Sequence, residues 1–288
     1  MPTLSRRTLI KTLTVAGAAV LTDVSAAQNA SEIEGLTLKG NIRQSVSKWC
    51  FGSFPLAEFC KICKKLGLVA VDLIDPKDWD TVHQHGLEVS MSNVPGAGIP
   101  KGFNRIEHHD FLLPIYEKLI PQAAEKNVKN LICFSGNRDG LDDEKGVENC
   151  VIGLKKLMPS AEKHGVNIVM ELLNSKGHKD YQADHTAWGG SVARKVGSER
   201  FKLLYDIYHM QRMDGDIIEN IRTYKDVIGH YHTAGNPGRK DLDDTQELHY
   251  PAIIKAIKDT GYKGIVAHEF LPKKGIESLR NAVLLCDV

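Results

Sequence analysis

Four short apolar runs in the second half of the chain each end in a side chain that can bind a metal ion. They are Ile168-Val169-Met170-Glu171, Leu203-Leu204-Tyr205-Asp206, His230-Tyr231-His232 and Val266-Ala267-His268-Glu269. From Glu171 to Asp206 is 35 residues, from Asp206 to His232 is 26, and from His232 to Glu269 is 37. Each interval is about the size of one strand-plus-helix unit. Three carboxylates and one imidazole suit one hard or borderline divalent ion: Mn²⁺, Mg²⁺ or Co²⁺, with Zn²⁺ less favoured because its structural sites prefer thiolates. Without a cation, three clustered carboxylates would repel one another in a partly buried site. An isolated Asp or Glu after a strand is more often half of a salt bridge or a cap. Four such positions in register resist that reading.

A site of this kind needs strands that end side by side. The chain alternates short β-branched runs with longer segments of helical spacing. Strands are predicted at Ser45–Phe51, Ala70–Ile74, Glu88–Met91, Asn130–Phe134, Asn167–Leu172, Lys202–Tyr205, Gly229–Thr233 and Gly264–His268. Helices are predicted at Pro55–Leu66, Pro76–His83, Phe111–Lys126, Lys145–His164, His185–Val196, Gly215–Lys225, Tyr250–Thr260 and Ile276–Leu285. Eight of each in a chain of 288 residues favours an α/β fold of the single (β/α)8 TIM barrel type over an open doubly wound sheet. In such a barrel the active site lies at the C-terminal strand ends, where the four runs terminate. No G-x-G-x-x-G follows the first strand and no P-loop motif occurs, so nucleotide chemistry has no support. The net charge of +1 offers no basic excess for a phosphate backbone, and no nucleic acid partner is expected.

With those positions in place, the segments Glu171-Leu172-Leu173-Asn174, Asp206-Ile207-Tyr208-His209-Met210-Gln211, His230-Tyr231-His232, Asn236-Pro237-Gly238-Arg239 and His268-Glu269-Phe270 resemble the hydroxypyruvate isomerase family of xylose-isomerase-like barrels. Asp184–Gly189 and Thr245–Leu248 look like further segments of that family. The resemblance implies a single divalent metal held by Glu171, Asp206, His232 and Glu269, with Glu171 and Glu269 as the proton-transfer pair. It implies isomerisation of a small hydroxy-carbonyl compound or sugar through an enediolate, the family's named reaction being hydroxypyruvate to tartronate semialdehyde. The alternative is a ketose or keto-sugar 3-epimerase, or a related lyase. In the family the strand-seven ligand is often Gln in hydroxypyruvate isomerases and His in ketose epimerases, and this chain has His232. Endonuclease IV-like repair is disfavoured, because it uses three zinc ions and more His ligands. An exported barrel that binds metal or sugar without turnover is the reading from another class. The intact Glu171 and Glu269 pair argues against it.

Substrate contacts are expected from His209, a position the family uses for substrate, and from Arg239 and His108. Arg239 could grip a substrate carboxylate by a planar two-point contact, or could pair with Glu247 or an aspartate of the acidic loop that follows. His108 and His109 follow the Gly/Pro-rich loop Asn93–Asn104, which could close over substrate. His230 shares a strand face with His232 and is expected to support it. His185 reads as wall and Trp188 as packing.

The N-terminus carries Ser5-Arg6-Arg7-Thr8-Leu9-Ile10-Lys11, a twin-arginine pattern, then an apolar stretch to Leu21 and small residues at Val24–Ala27. That stretch is too short to anchor in a bilayer about 30 Å thick and fits a signal peptide. The predicted organisation is a twin-arginine signal peptide over 1–26, a flexible lead-in over 27–42 and the barrel over 43–288. The expected address is periplasmic or exported, with the twin-arginine translocase as a transient partner, no stable membrane anchor, and a homo-oligomer left open. Removing 1–26 takes away Arg6, Arg7, Lys11 and Asp23 and leaves a net charge of about −1. The six cysteines are irregularly spaced, and Cys60-Lys61-Ile62-Cys63 is expected to put two small side chains on the core face of a helix rather than to form a redox or zinc site. Replacing Arg6 and Arg7 with Lys should stop delivery to the periplasm in cell fractionation. Undiminished delivery would remove the export reading.

Overall fold

The computed structural model describes residues 33–288. The signal sequence expected over 1–26, and residues 27–32 of the lead-in, lie outside the described residues. Residues 33–42 run against the barrel: Leu36 N–H donates to the Lys65 carbonyl at 2.8 Å, and Lys39 N–H to the Asp287 carboxylate at 2.8 Å.

Eight parallel strands form the sheet: β1 Arg43–Ser47, β2 Ala70–Asp72, β3 Glu88–Val89, β4 Asn130–Cys133, β5 Asn167–Glu171, β6 Phe201–Asp206, β7 Ile228–Thr233 and β8 Ile265–His268. Their order is β3-β2-β1-β8-β7-β6-β5-β4. The ring closes through Ser92, whose N–H donates to the Asn130 carbonyl at 2.9 Å and whose carbonyl accepts from Ile132 N–H at 3.1 Å. The helices are α1 Leu56–Lys65, α2 Trp79–Gln84, α3 Ile106–Glu125, α4 Asp143–His164, α5 Thr186–Val196, α6 Ile207–Met213, α7 Ile217–Thr223, α8 Tyr250–Asp259 and α9 Ile276–Leu285. This is the (β/α)8 barrel expected from the alternation. No helix among the described residues is long and apolar enough to cross a membrane.

Alternation along each strand divides the side chains between two environments. Ile168 and Met170 of β5, Leu203 and Tyr205 of β6, and Tyr231 of β7 join the core between sheet and helices. Val169 and Leu204 face inward and pack with Met91 and Ile132 in a small apolar cluster. Glu171 and Asp206, two residues further along, continue that inward row. Cys60 and Cys63 are buried on α1, and all six cysteines are free.

Two boundaries differ from expectation in ways that matter for the site. The first strand stops at Ser47 rather than Phe51, and Lys48–Phe51 forms a 3₁₀ turn. Its neighbour β2 offers backbone partners only as far as Ser47↔Asp72, so the ladder has nothing further to pair with. A short helix, α6, also starts directly after β6. Asp206 caps it by accepting His209 N–H at 2.9 Å, which satisfies a donor otherwise left orphaned.

The β6–β7 pairing carries a bulge. Leu203 pairs with Ile228 but Leu204 pairs with His230, so Gly229 is skipped. This slip puts His232, not Tyr231, opposite Asp206. Only a glycine fits there, because a Cβ on residue 229 would lie 2.6 Å from Lys202 Cβ. Gly229→Ala should therefore lower the unfolding free energy in urea by about 1–3 kcal/mol. Unchanged stability would mean that the close approach does not hold the bulge.

Candidate metal and proton-transfer site

Glu171 and Asp206 end β5 and β6, His232 lies near the end of β7, and Glu269 directly follows β8. One ligand atom from each lies within 4.8 Å of the others, and all four residues are buried. His232 Nδ1 is 2.8 Å from Glu269 Oε2, 3.6 Å from Glu171 Oε1 and 4.0 Å from Asp206 Oδ2. Four positions separated by up to 98 residues thus meet at one point, as the strand-end reading required.

The positive charge nearest this centre, besides the imidazole, belongs to Arg239 on the loop after β7. Its guanidinium lies 2.6 Å from Glu269 Oε2 and 3.7 Å from Asp206 Oδ2. It sits over the rings of Trp49 and Tyr208, with Cζ 5.3 and 5.9 Å from their centroids. Of the pairings weighed for Arg239, that with Glu247 is not made: Glu247 Oε1 accepts from Gln211 at 3.2 Å and from Asn236.

Burial sets the electrostatics. It raises the Asp206 carboxyl to about 7, against the opposing pull of Arg239, and it raises Glu171 as well. Burial acts on Glu269 in the same direction, but the charges of His232 and Arg239 outweigh it and hold that carboxyl below the usual range. For His232, burial alone would favour the neutral ring. The Glu269 charge and the hydrogen bonds that the ring donates to Asp72, Glu171 and Glu269 prevail and raise it. The centre is therefore short of positive charge. Asp206 Oδ2 is buried without a hydrogen-bond partner, and it shares the cluster with the His232 imidazole and two further carboxylates. That donor set fits a divalent cation.

His209, on α6, is buried with its Nδ1 accepting the backbone N–H of Asn174 at 3.0 Å. Burial pushes its pKa well down, so the ring is neutral and its proton resides on Nε2. Nε2 has no hydrogen-bond partner and lies 3.6 Å from Asp206 Oδ2. A donor is thus left facing the same space as the carboxylates. His108 is not brought there. It sits in the first helical turn of α3, with Nδ1 3.1 Å from the Gly102 carbonyl and its ring against Phe111. His185 is exposed and 2.5 Å from Asp214, and Trp188 donates to the Asp143 carbonyl at 3.1 Å.

Two participants were missed in the sequence. Trp49 Nε1–H donates to Glu269 Oε1 at 2.7 Å, although Trp49 is 46% exposed at the barrel mouth. Asp72 lies 2.9 Å from His232 Nε2. Asp72 carried a signal, since Ala70-Val71-Asp72 repeats the pattern of an apolar run ending in a carboxylate. Trp49 carried none once the first strand was drawn through it.

The fold and this site define a class. Residues 79–282 match the family described as xylose isomerase-like TIM barrel, and the chain belongs to that family. Among its relatives, hydroxypyruvate isomerase of Escherichia coli is 26% identical over 241 residues, 79% of this chain and 92% of the relative. The 2-oxo-tetronate isomerase of Pectobacterium atrosepticum is 22% identical over 237 residues, 77% of this chain and 89% of the relative. A crystal structure of AP endonuclease, family 2, from Brucella melitensis superposes with a TM-score of 0.73 at 22% identity, covering 83% of this chain and 97% of that one. At that identity the superposition shows the shared fold alone.

A cation that binds the folded cluster and not the unfolded chain should stabilise the protein. At a hundred times its Kd, Mn²⁺ or Co²⁺ should add about 2.7 kcal/mol to the unfolding free energy. The double substitution Glu171→Gln with Asp206→Asn should abolish that increment in the same denaturation assay. An equal increment in wild type and double variant would place the ion elsewhere.

Proposed function

We propose that this protein is a divalent-metal-dependent isomerase of small hydroxy-carbonyl acids, with hydroxypyruvate to tartronate semialdehyde as the leading reaction. The observation that carries this reading is the buried convergence of Glu171, Asp206, His232 and Glu269 on one point. The names of the two relatives, hydroxypyruvate isomerase and 2-oxo-tetronate isomerase, support it, since both substrates are short 2-oxo acids.

The residues divide the work as follows. Glu171, Asp206, His232 and Glu269 would hold the cation, which when bound would draw electron density from the substrate's carbonyl and hydroxyl oxygens and acidify the adjacent C–H. The isomerisation moves one carbon-bound proton from C3 to C2 of hydroxypyruvate and one oxygen-bound proton from O3 to O2. A carboxylate of the Glu171–Glu269 pair takes the C3 proton, giving the enediolate of the substrate, and the proton is returned to C2. His209 Nε2–H donates to a substrate oxygen. With Glu269 and Asp206 committed to the cation, Arg239 is free to grip the substrate carboxylate by two parallel hydrogen bonds. Trp49 keeps one oxygen of Glu269 fixed by its indole N–H.

His232 favours a second reading, ketose 3-epimerisation, in which two carboxylates exchange protons on opposite faces of one carbon. Solvent deuterium separates the two: isomerisation places the label on C2 of the aldehyde product, whereas epimerisation places it on the inverted carbon of a retained ketose. The twin-arginine pattern of Ser5–Lys11 supports an exported, periplasmic address for the enzyme.

Substitutions should separate ligation from proton transfer. Glu269→Gln and Glu171→Gln should each lower turnover by about 10²–10⁴-fold with the metal saturating. Asp206→Asn should be partly rescued by added Mn²⁺. Complete rescue of both glutamate variants by metal would reduce them to ligands, and full activity without any divalent ion would remove the proposal.

A further inference from the structure

Behind the ligand cluster lies a second set of buried polar side chains that the proposed reaction does not use. Asp72 ends β2 inside the barrel, wholly shielded from solvent. Its Oδ2 lies 2.9 Å from His232 Nε2 and accepts from the Ser47 hydroxyl at 3.3 Å. Its Oδ1 lies 3.0 Å from His230 Nε2 and accepts from the Ser90 hydroxyl at 2.5 Å. The carboxylate is thus fixed from β1, from β7 and from the residue that follows β3. Ser47, Ser90 and His230 are all buried beneath the ligand cluster with it.

An ionised carboxylate only accepts hydrogen bonds, so the imidazole nitrogen facing it must carry a proton. For His232 that nitrogen is Nε2. Nδ1 faces Glu171, Asp206 and Glu269, so in the metal-free centre it is protonated as well. A cation taken up by those carboxylates would displace that proton and meet the Nδ1 lone pair, while Nε2 keeps its proton against Asp72. We infer that Asp72 is a positioning residue that locks His232 as the Nε2–H tautomer and so assigns Nδ1 to the divalent cation, with Ser47 and Ser90 holding Asp72 in aim. The inference rests on the cluster being a cation site. It goes further in naming which nitrogen ligates and which distant strand decides it. A ring without this partner would turn its N–H toward the cation for part of the time, and loss of such a supporting carboxylate typically weakens metal affinity about 10–100-fold.

The test uses the whole protein labelled with ¹⁵N at histidine, observed by NMR without metal and with Zn²⁺ as a diamagnetic probe. The His232 signals are assigned by His232→Asn. Nε2 should be protonated in both states, with its proton far downfield, and only the Nδ1 resonance should move on loading. Asp72→Asn should shift the Nε2–H proton upfield and weaken Co²⁺ binding by calorimetry about 10–100-fold. Ser90→Ala, which keeps the carboxylate, should weaken it only a few-fold. Should Asp72→Asn fail to fold, the wild-type spectra and Ser90→Ala decide. Zinc-induced loss of the Nε2 proton, a second zinc equivalent bound through Nε2, or unchanged Co²⁺ affinity in folded Asp72→Asn would each overturn the lock while leaving the cation site in place. Wild-type protein that binds no divalent ion would overturn the cation site itself.

Discussion

Three carboxylates are buried against one another, and the energy of that crowding governs the rest of the barrel's upper end. Burial drives Asp206 and Glu171 toward their protonated forms, while Glu269 stays ionised only because His232 and Arg239 stand beside it. A stability-driven core would not gather these groups, because burying like charge costs more than an apolar residue of the same size would. The cluster therefore reads as built for a ligand that carries the missing positive charge.

Every surrounding feature limits that cost or directs its use. Arg239 supplies a counter-charge, held on the faces of Trp49 and Tyr208 so that the guanidinium keeps a defined plane. Asp72 supplies a fixed charge from below, itself satisfied by Ser47, Ser90 and His232. Asn174 fixes the protonation of His209 through a backbone N–H, which leaves a donor over the site without adding a second cation. Glu171 and Asp206 stand two residues beyond Val169 and Leu204 on the same strands, so the charged cluster borders the apolar group of Met91, Ile132, Val169 and Leu204 inside the barrel.

Much of this was legible because the barrel repeats itself. A parallel strand buried on both faces reads as an apolar run, and the residue at its end is released from the core at a fixed place, the C-terminal rim. Glu171, Asp206, His232 and Glu269 could therefore be picked out by their spacing alone. His108 shows the limit of that logic. Its segment carries the polar side chains of a rim loop, but α3 begins at Ile106 and turns the ring toward Gly102 and Phe111. Trp49 shows the opposite failure, a site residue concealed in what read as strand.

The sequence by itself determined the alternation of elements and the four strand-end side chains that could together hold a metal ion, because these follow from local periodicity and side-chain chemistry. Only the tertiary structure decided that Arg239 turns inward to Glu269 rather than outward to Glu247, that the bulge at Gly229 brings His232 opposite Asp206, and that Asp72 stands behind His232. Each of these depends on the angle at which one strand or loop meets another across the barrel. A contact between residues 72 and 232 has no local signature, because the physical force that selects it, the pairing of buried charges, acts only after the strands have closed into a ring.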